Sequence, residues 1–368
     1  MNKTQNIENV IEGKTKILVY KSKKTKKGPG AKDILPFYNP SMELNRDLSV
    51  IFCQWFVNDR QKHFNLIDGL AASGIRGLRI ANEVVGDFDI ILNDWSTDAY
   101  KLIKKNIEKL KFKNVKTLNR NLNTVLSDEK FDYIDIDPFG SPVYYIDSAM
   151  RSICNDGIIA VTATDTATLC GTYPKVCLRR YGAVPYHSFA MKEVGLRVLL
   201  GVICREAGKY DKGIKIIVSY CTDHYFRAYV QITNGTGRAN DSLKNYSTVN
   251  SNDFFSLKNE NMDIGPLWRG KIQNKKIIMK LRTILFNKKI NTKNELWRLL
   301  DLLEEEADGP NFFYETDKLA SIFKKSPPKM ELLFKKLNEK GYNVYRTHFS
   351  PTGFKTNSPK SEIEKVFK

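Results

Sequence analysis

FDYIDIDPFGSP, residues 131–142, is the stretch on which the reading of this chain turns. Phe131, Tyr133, Ile134 and Ile136 supply the aromatic and β-branched surface of a buried central strand. Three carboxylates, Asp132, Asp135 and Asp137, interrupt that run. Pro138, Phe139 and Gly140 then end it, because proline cannot donate to a ladder. Asp-Pro also starts many β-turns, and Ser141 stands where it would cap a helix entered at Pro142. The turn and a chemical role at the strand's end are compatible.

Outward from this strand, short apolar segments alternate with amphipathic ones, the signature of a sheet with helices on its faces. Strands are expected at 64–68, 88–94, 115–119, 131–137 and 157–164, and helices at 75–84, 98–110, 121–127 and 142–153. Two hairpin-like strands within 213–233 bring the sheet to seven. Upstream, apolar residues at helical spacing from Met42 to Phe56 predict a helix capped by Ser41. A length of 368 residues favours two domains. Residues 1–270 carry the sheet behind a basic N-terminal extension, and 271–368 form a smaller α+β domain. Residues 234–262, polar and rich in Asn and Ser, read as an excursion or linker.

Lys and Arg total 59 against 41 acids, a formal net charge of +18, so the long-range field attracts polyanions. Nucleic acid is the first candidate and an anionic membrane surface the second. No apolar run approaches the roughly 20 residues that span a bilayer, and the N-terminus lacks the apolar core of a signal peptide. A soluble, cytoplasmic protein, working as a monomer, is the expectation. Lysines from Lys21 to Lys27, closed by Gly28, Pro29 and Gly30, form a basic loop that is either a solvated linker or a phosphate-contacting arm. Six cysteines without a CxxC pair suggest buried thiols, with neither disulfides nor a metal site.

In a parallel sheet covered on both faces, ligands collect outside the carboxyl ends of the strands. The first strand ends in Asp68 and runs into GLAASGIRG, where Gly69, Gly74 and Gly77 permit a tight turn and close approach to a helix N-terminus. The second ends in Asn93 and Asp94, the distance downstream at which an acid holds ribose hydroxyls. The glycines do not follow strict GxGxxG order, so a plain strand-to-helix turn stays open. Asp94 could also cap the next helix, although Ser96 or Thr97 is better placed. Together these features favour a nucleoside-bearing cofactor.

The fourth strand chooses among such cofactors. An exocyclic amine on a nucleobase is a poor nucleophile, since its lone pair is drawn into the ring, so a methyltransferase acting on it must take up proton charge. Asp137 can accept one N–H and the proton, the Pro138 carbonyl the second N–H, and Phe139 can stack on the base. A base held this way has left its helix or comes from an unstacked position.

The chain also resembles the tRNA guanine-N2 dimethyltransferase family, class I methyltransferases that use S-adenosylmethionine. The likeness runs through FYNPSMELNRDLS, LAASGIRGLRIANE, NDWS, DIDPFGSP, TATDTATLCGTYPKVCLRRYGA, HYFRAYV, GPLWRG, TDKLASIFKKSPPKM and RTHFSPTGFKTNSP. It implies a Rossmann-like seven-stranded domain, tRNA as partner, and methylation of the N2 amine of guanine 26, first to the mono- and then to the dimethyl product. It further implies that Arg46 and Arg76 contact the cofactor, that Asp94 binds its ribose, and that Asp137 is the catalytic acceptor with Pro138 and Phe139 holding guanine. Near the adenine the family has Asp-Ala where this chain has Asn121 and Leu122; the Asn oxygen can still accept from the adenine amine. Many relatives carry a cysteine zinc element ahead of GPLW. Here Ile264 precedes Gly265 and no cysteine follows Cys221, so no zinc is expected.

Thr162, Thr164 and Asp165, after the fifth strand, are placed to orient the base or support Asp137. Arg346, His348, Phe349, Phe354 and Lys355 make a basic and aromatic surface suited to RNA. A DNA amine methyltransferase, a non-catalytic RNA-binding protein and a nicotinamide dehydrogenase are the competing readings, and DPFG speaks against the last.

Overall fold

The computed structural model describes residues 7–21, 36, 38–60, 62–188, 190–222, 224–253 and 261–367. Most of the basic block, residues 22–30, lies outside the described residues, as do 254–260 of the polar stretch. The chain forms two compact units. One comprises Met1–Thr164, Tyr229–Asn234 and Met279–Arg298; the other comprises Asp165–Ala228, Gly235–Ile278 and Leu299–Lys368.

The first unit opens with a hairpin, β1 (Ile7–Glu12) and β2 (Thr15–Tyr20), and a 3₁₀ turn at Pro40–Met42 that leads into α1 (Glu43–Asn58). Thirteen of the sixteen α1 residues are buried, so this helix is packed on nearly every side. Ser41 does not cap it: Ser41 sits inside the 3₁₀ turn, whose cap is the Asn39 side chain, and α1 continues directly from Met42. Then come β3 (Phe64–Asp68), α2 (Ile75–Glu83), β4 (Phe88–Asn93), α3 (Thr97–Leu110), β5 (Val115–Leu118), α4 (Leu122–Asp128), β6 (Phe131–Ile136), α5 (Val143–Ser152) and β7 (Ile153–Ala163). These agree with the sequence-based limits to within a few residues, the largest shift being the earlier start of β7. The β3–β4, β3–β6, β4–β5 and β6–β7 pairings are all parallel. Helices cover both faces of such strands, which is why all six β6 residues are buried. Within β6, Asp132 is satisfied by Lys62 at 2.7 Å and the Asn65 amide at 3.0 Å.

The chain continues through α6 (Thr166–Leu169), α7 (Pro174–Tyr181), the apolar α8 (Met191–Gly208), β8 (Lys212–Cys221) and β9 (Phe226–Asn234). The large sheet has seven strands in the order β5-β4-β3-β6-β7-β9-β8. Next are α9 (Thr236–Leu243), β10 (Tyr246–Asn250), β11 (Asp263–Trp268), α10 (Lys275–Asn287) and α11 (Lys293–Glu306). The chain ends with β12 (Tyr314–Glu315), α12 (Thr316–Phe323), α13 (Met330–Glu339), β13 (Val344–Arg346), β14 (Gly353–Thr356) and α14 (Lys360–Val366).

The described part of 234–262 is therefore not a linker. Antiparallel pairing of β10 with β11 turns the polar stretch into an edge for GPLW, and Ser242 on α9 accepts from the Ile214 amide at 2.9 Å. All six cysteines are unbridged. Among the described residues no helix is long and apolar enough to cross a membrane.

Candidate active site

The strand ends of the first unit are tied together by short polar contacts. Asn93, fully buried, donates to the carbonyls of Gly69 at 3.0 Å and Arg120 at 3.1 Å, clipping the loops after β3 and β5 to the end of β4. In the sequence Asn93 is only a strand end; its signal is an amide where an apolar residue would serve a plain strand. Gly69 is obligatory for packing: a side chain there would meet Leu122 Cδ2 at 2.7 Å and the Asp135 carbonyl at 3.0 Å. Gly74, at φ +79°, starts α2 from the left-handed region.

Asp94 lies at this rim, 7% exposed, and accepts from the Ala72 amide at 2.8 Å and the Ser96 amide at 2.9 Å. Burial raises its carboxyl above the usual range, against those two bonds. The cap of α3 is Ser96, which accepts from Ala99. Asn121 caps α4 through a bond from the Asn123 amide at 2.9 Å, and Leu122 is buried against Gly69.

At the end of β6 the carboxylates converge on one cation. Arg76 reaches Asp137 Oδ2 with one guanidinium nitrogen, lies 3.5 Å from Asp135, and donates to Asn45 Oδ1 at 2.5 Å and Ser49 Oγ at 2.7 Å. Asp68 sits below, accepting from the Gly77 amide at 3.1 Å. Burial, and then the charge of Asp135, carry the Asp68 carboxyl well above its usual range. Arg46 is held by Glu12 of the N-terminal hairpin, with Nε to Oε2 at 2.8 Å, and by the Asn39 carbonyl at 3.0 Å. Both arginines that the resemblance assigned to the cofactor thus have protein partners, and Arg76 is above all the counter-ion of Asp137.

The DPFG turn leaves Asp137 partly exposed and Phe139 57% exposed. Gly140, at φ +91°, donates to Thr164 Oγ1 at 2.7 Å, and the Thr164 amide donates back to the Gly140 carbonyl at 3.0 Å. Thr164 is therefore a brace for the turn. Ser141 does not cap α5, which starts behind Pro142; among the described residues its buried Oγ has no hydrogen-bond partner. Asn45 Nδ2, on a wholly buried residue beside Arg76, likewise has none among them. Two orphaned polar atoms, a rim acid and a backbone approach without a side chain fit a polar nucleoside cofactor rather than a closed core.

In the second unit Asp165 receives Tyr181 Oη at 2.6 Å and Arg180 at 3.2 Å, so its carboxylate already has partners. The RNA surface expected at 346–355 is corrected here. Lys355 is 1% exposed and bound to Glu193 at 2.9 Å, while Phe354 and Phe349 are core residues, the latter stacked on Phe313. His348 is enclosed by Glu306 at 2.8 Å and the Cys221 amide at 3.1 Å. Arg346 alone keeps partial exposure, lying over the Phe334 ring and donating to the Pro351 carbonyl. Their mixture of cations and rings builds an interior.

Residues 13–368 match the family described as N2,N2-dimethylguanosine tRNA methyltransferase. The tRNA (guanine(26)-N(2))-dimethyltransferase of Methanobrevibacter smithii is 36% identical, covering 98% of this chain and 97% of the relative. That of Pyrococcus furiosus is 38% identical, covering 95% of each. The structure of Trm1 from Pyrococcus horikoshii in complex with S-adenosyl-L-methionine superposes with a TM-score of 0.87 at 36% identity, over 98% of this chain and 100% of the other. With a class I methyltransferase sheet, and with similarity along almost its whole length, the chain belongs to the N2,N2-dimethylguanosine tRNA methyltransferase family.

Proposed function

We propose that Asp137 is the proton acceptor of the reaction and that Arg76 fixes its orientation. The protein is an S-adenosylmethionine-dependent tRNA (guanine26-N2)-dimethyltransferase. The cofactor supplies an electrophilic methyl group when bound; Asp94 would hold its ribose, Asn121 and Leu122 its adenine side, and Arg46, Arg76 and Asp68 support the remainder of its site.

The observation that carries the reading is the partly exposed Asp137 at the end of a buried strand, with Arg76 on Oδ2 and no partner on Oδ1 among the described residues. With Arg76 on Oδ2, Oδ1 is the oxygen that meets the amine as an acceptor. As positive charge develops on N2, Asp137 takes the hydrogen that the nitrogen loses. The Pro138 carbonyl takes the second N–H, and Phe139, exposed on its turn, offers a face to the extruded guanine. After the first transfer the amine keeps one hydrogen, which the same acceptor can address again. Thr164 supports this turn, Asp165 stands next to it in sequence, and residues 271–368 hold tRNA, with Arg346 the one member of the predicted pair, Arg346 and Lys355, positioned to reach it.

Nucleoside mass spectrometry of transcript tRNA after incubation tests the assignment. Wild type yields N2-methyl- and N2,N2-dimethylguanosine, and Asp137→Ala yields neither; unchanged product from the variant removes Asp137 from this role.

A further inference from the structure

With 346–355 folded inward except for Arg346, contact with tRNA from this part of the chain needs a further surface. From β12 to β14 the order is strand, helix, helix, strand, strand, and the strands close as an antiparallel sheet in the order β12-β14-β13. Leu319 and Ala320 of α12 pack with Leu333 and Leu337 of α13 against Phe354. This is a helix-turn-helix backed by a β-hairpin, a frame that in nucleic-acid-binding proteins offers its second helix and the turn before it to the polymer. The first half of the hairpin's own connection turns inward: Thr347 and His348 both bond to Glu306, and Phe349 is buried.

The turn between the helices is KKSPPK, residues 324–329. Lys324, Lys325 and Lys329 are exposed, and among the described residues none has a carboxylate at ion-pair distance. Their neighbours differ. Lys318 pairs with Glu315, Lys335 with Glu339, and Lys340 and Lys365 with Glu362. These four cations are neutralised, whereas the three on the turn are left open. Pro327 and Pro328 restrict the backbone, so the three ammonium groups are presented with little ordering cost.

We propose that the KKSPPK turn docks on the phosphate backbone of a base-paired arm of tRNA. The proposal rests on the tRNA activity above and adds the surface that meets the polymer. The major groove of A-form RNA is too deep and narrow for side chains to read, so the contact is with phosphates and is indifferent to sequence.

The experiment uses the full chain carrying Lys324→Gln, Lys325→Gln and Lys329→Gln together, with transcript tRNA titrated across a salt series. Each lost phosphate contact makes the log–log salt dependence shallower by about one. The expected result is a slope shallower by about three and binding weaker by about tenfold or more, with S-adenosylmethionine affinity unchanged as the sign of an intact fold. A second variant, Lys101→Gln, Lys104→Gln and Lys105→Gln on α3, removes the same charge from another exposed face and retains the wild-type slope. Unchanged tRNA affinity and slope in the first variant overturn the dock. So does an equal loss in the second, which would reduce the effect to overall charge, or displacement of tRNA by duplex DNA at equal concentration. Methyl transfer by the wild type is followed in the same samples; its failure overturns the activity and is read independently of the slope.

Discussion

The charge cluster at the β6 rim and the one inside the second unit use the same residue types and end in opposite states. At the rim, Asp68, Asp135 and Asp137 gather around the guanidinium of Arg76. Burial and the nearby Asp135 charge leave the Asp68 carboxyl raised. In the second unit, burial also pushes Glu193 and Glu306 upward, but their cations prevail. Lys355 and Arg197 hold Glu193 below the usual range, and His348 with Lys355 brings Glu306 down to about 2. A carboxylate buried beside a like charge can still take a proton; one held by cations is fixed in its charge state. The first is suited to chemistry and the second to holding the fold.

Two substitutions would break this contrast if it were wrong. Asp137→Asn keeps the size and an acceptor oxygen but removes the basic group. Single-turnover methyl transfer should fall by about 10² to 10⁴-fold, with little change in thermal midpoint. Lys355→Met does the reverse. It leaves Glu193 and Glu306 buried with fewer cations, and urea unfolding should show a loss of about 3–5 kcal/mol. Unfolding by the first variant, or a well-folded but inactive second, would mean that the roles of the clusters are exchanged.

The sequence carried the rim more clearly than the interior for a physical reason. Strand ends, glycine turns and DPFG are local: Asp68, Asp94 and Asp137 are marked by the apolar runs they terminate. Lys355 has its partner 162 positions away, and RTHFSPTGFK has the same composition whether its cations face phosphates or Glu193. Arg76 was legible as a site residue but not as the partner of Asp137, since nothing local distinguishes a guanidinium aimed at a cofactor from one aimed at a carboxylate. Tyr246–Asn250 was hidden because a short polar strand takes its meaning from the edge it pairs with. Glu12, which fixes Arg46 from 34 positions upstream, gave no signal at all.

A pH comparison sharpens the contrast further. The Asp68 carboxyl is raised in the folded state, so its contribution to stability is full below its unfolded value of 3.8 and is lost as pH rises through the raised folded value. Asp68→Asn keeps an acceptor for the Gly77 amide and removes that dependence. Its thermal midpoint should exceed the wild type's by a few degrees at pH 8, and the difference should close toward pH 4. Glu306 runs the other way. Its contribution is full above 4.5 and is lost as pH falls toward about 2, so Glu306→Gln should cost stability at neutral pH and progressively less in acid.

The smallest expected effect concerns the turn itself. Thr164→Val removes the acceptor for the Gly140 amide while leaving the backbone bond from the Thr164 amide to the Gly140 carbonyl. One bond of the pair remains, so the turn loosens without opening, and a net hydrogen bond of about 1 kcal/mol is at stake. If, as proposed, this element presents Phe139 and Pro138 to the base, the loss should appear as a few-fold rise in KM for tRNA, with S-adenosylmethionine affinity unchanged and kcat lowered less. Thr164→Ser restores the hydroxyl and should recover most of the KM. If serine fails to rescue, the methyl group's packing matters more than the bond, and Thr164 belongs with the core rather than with the site.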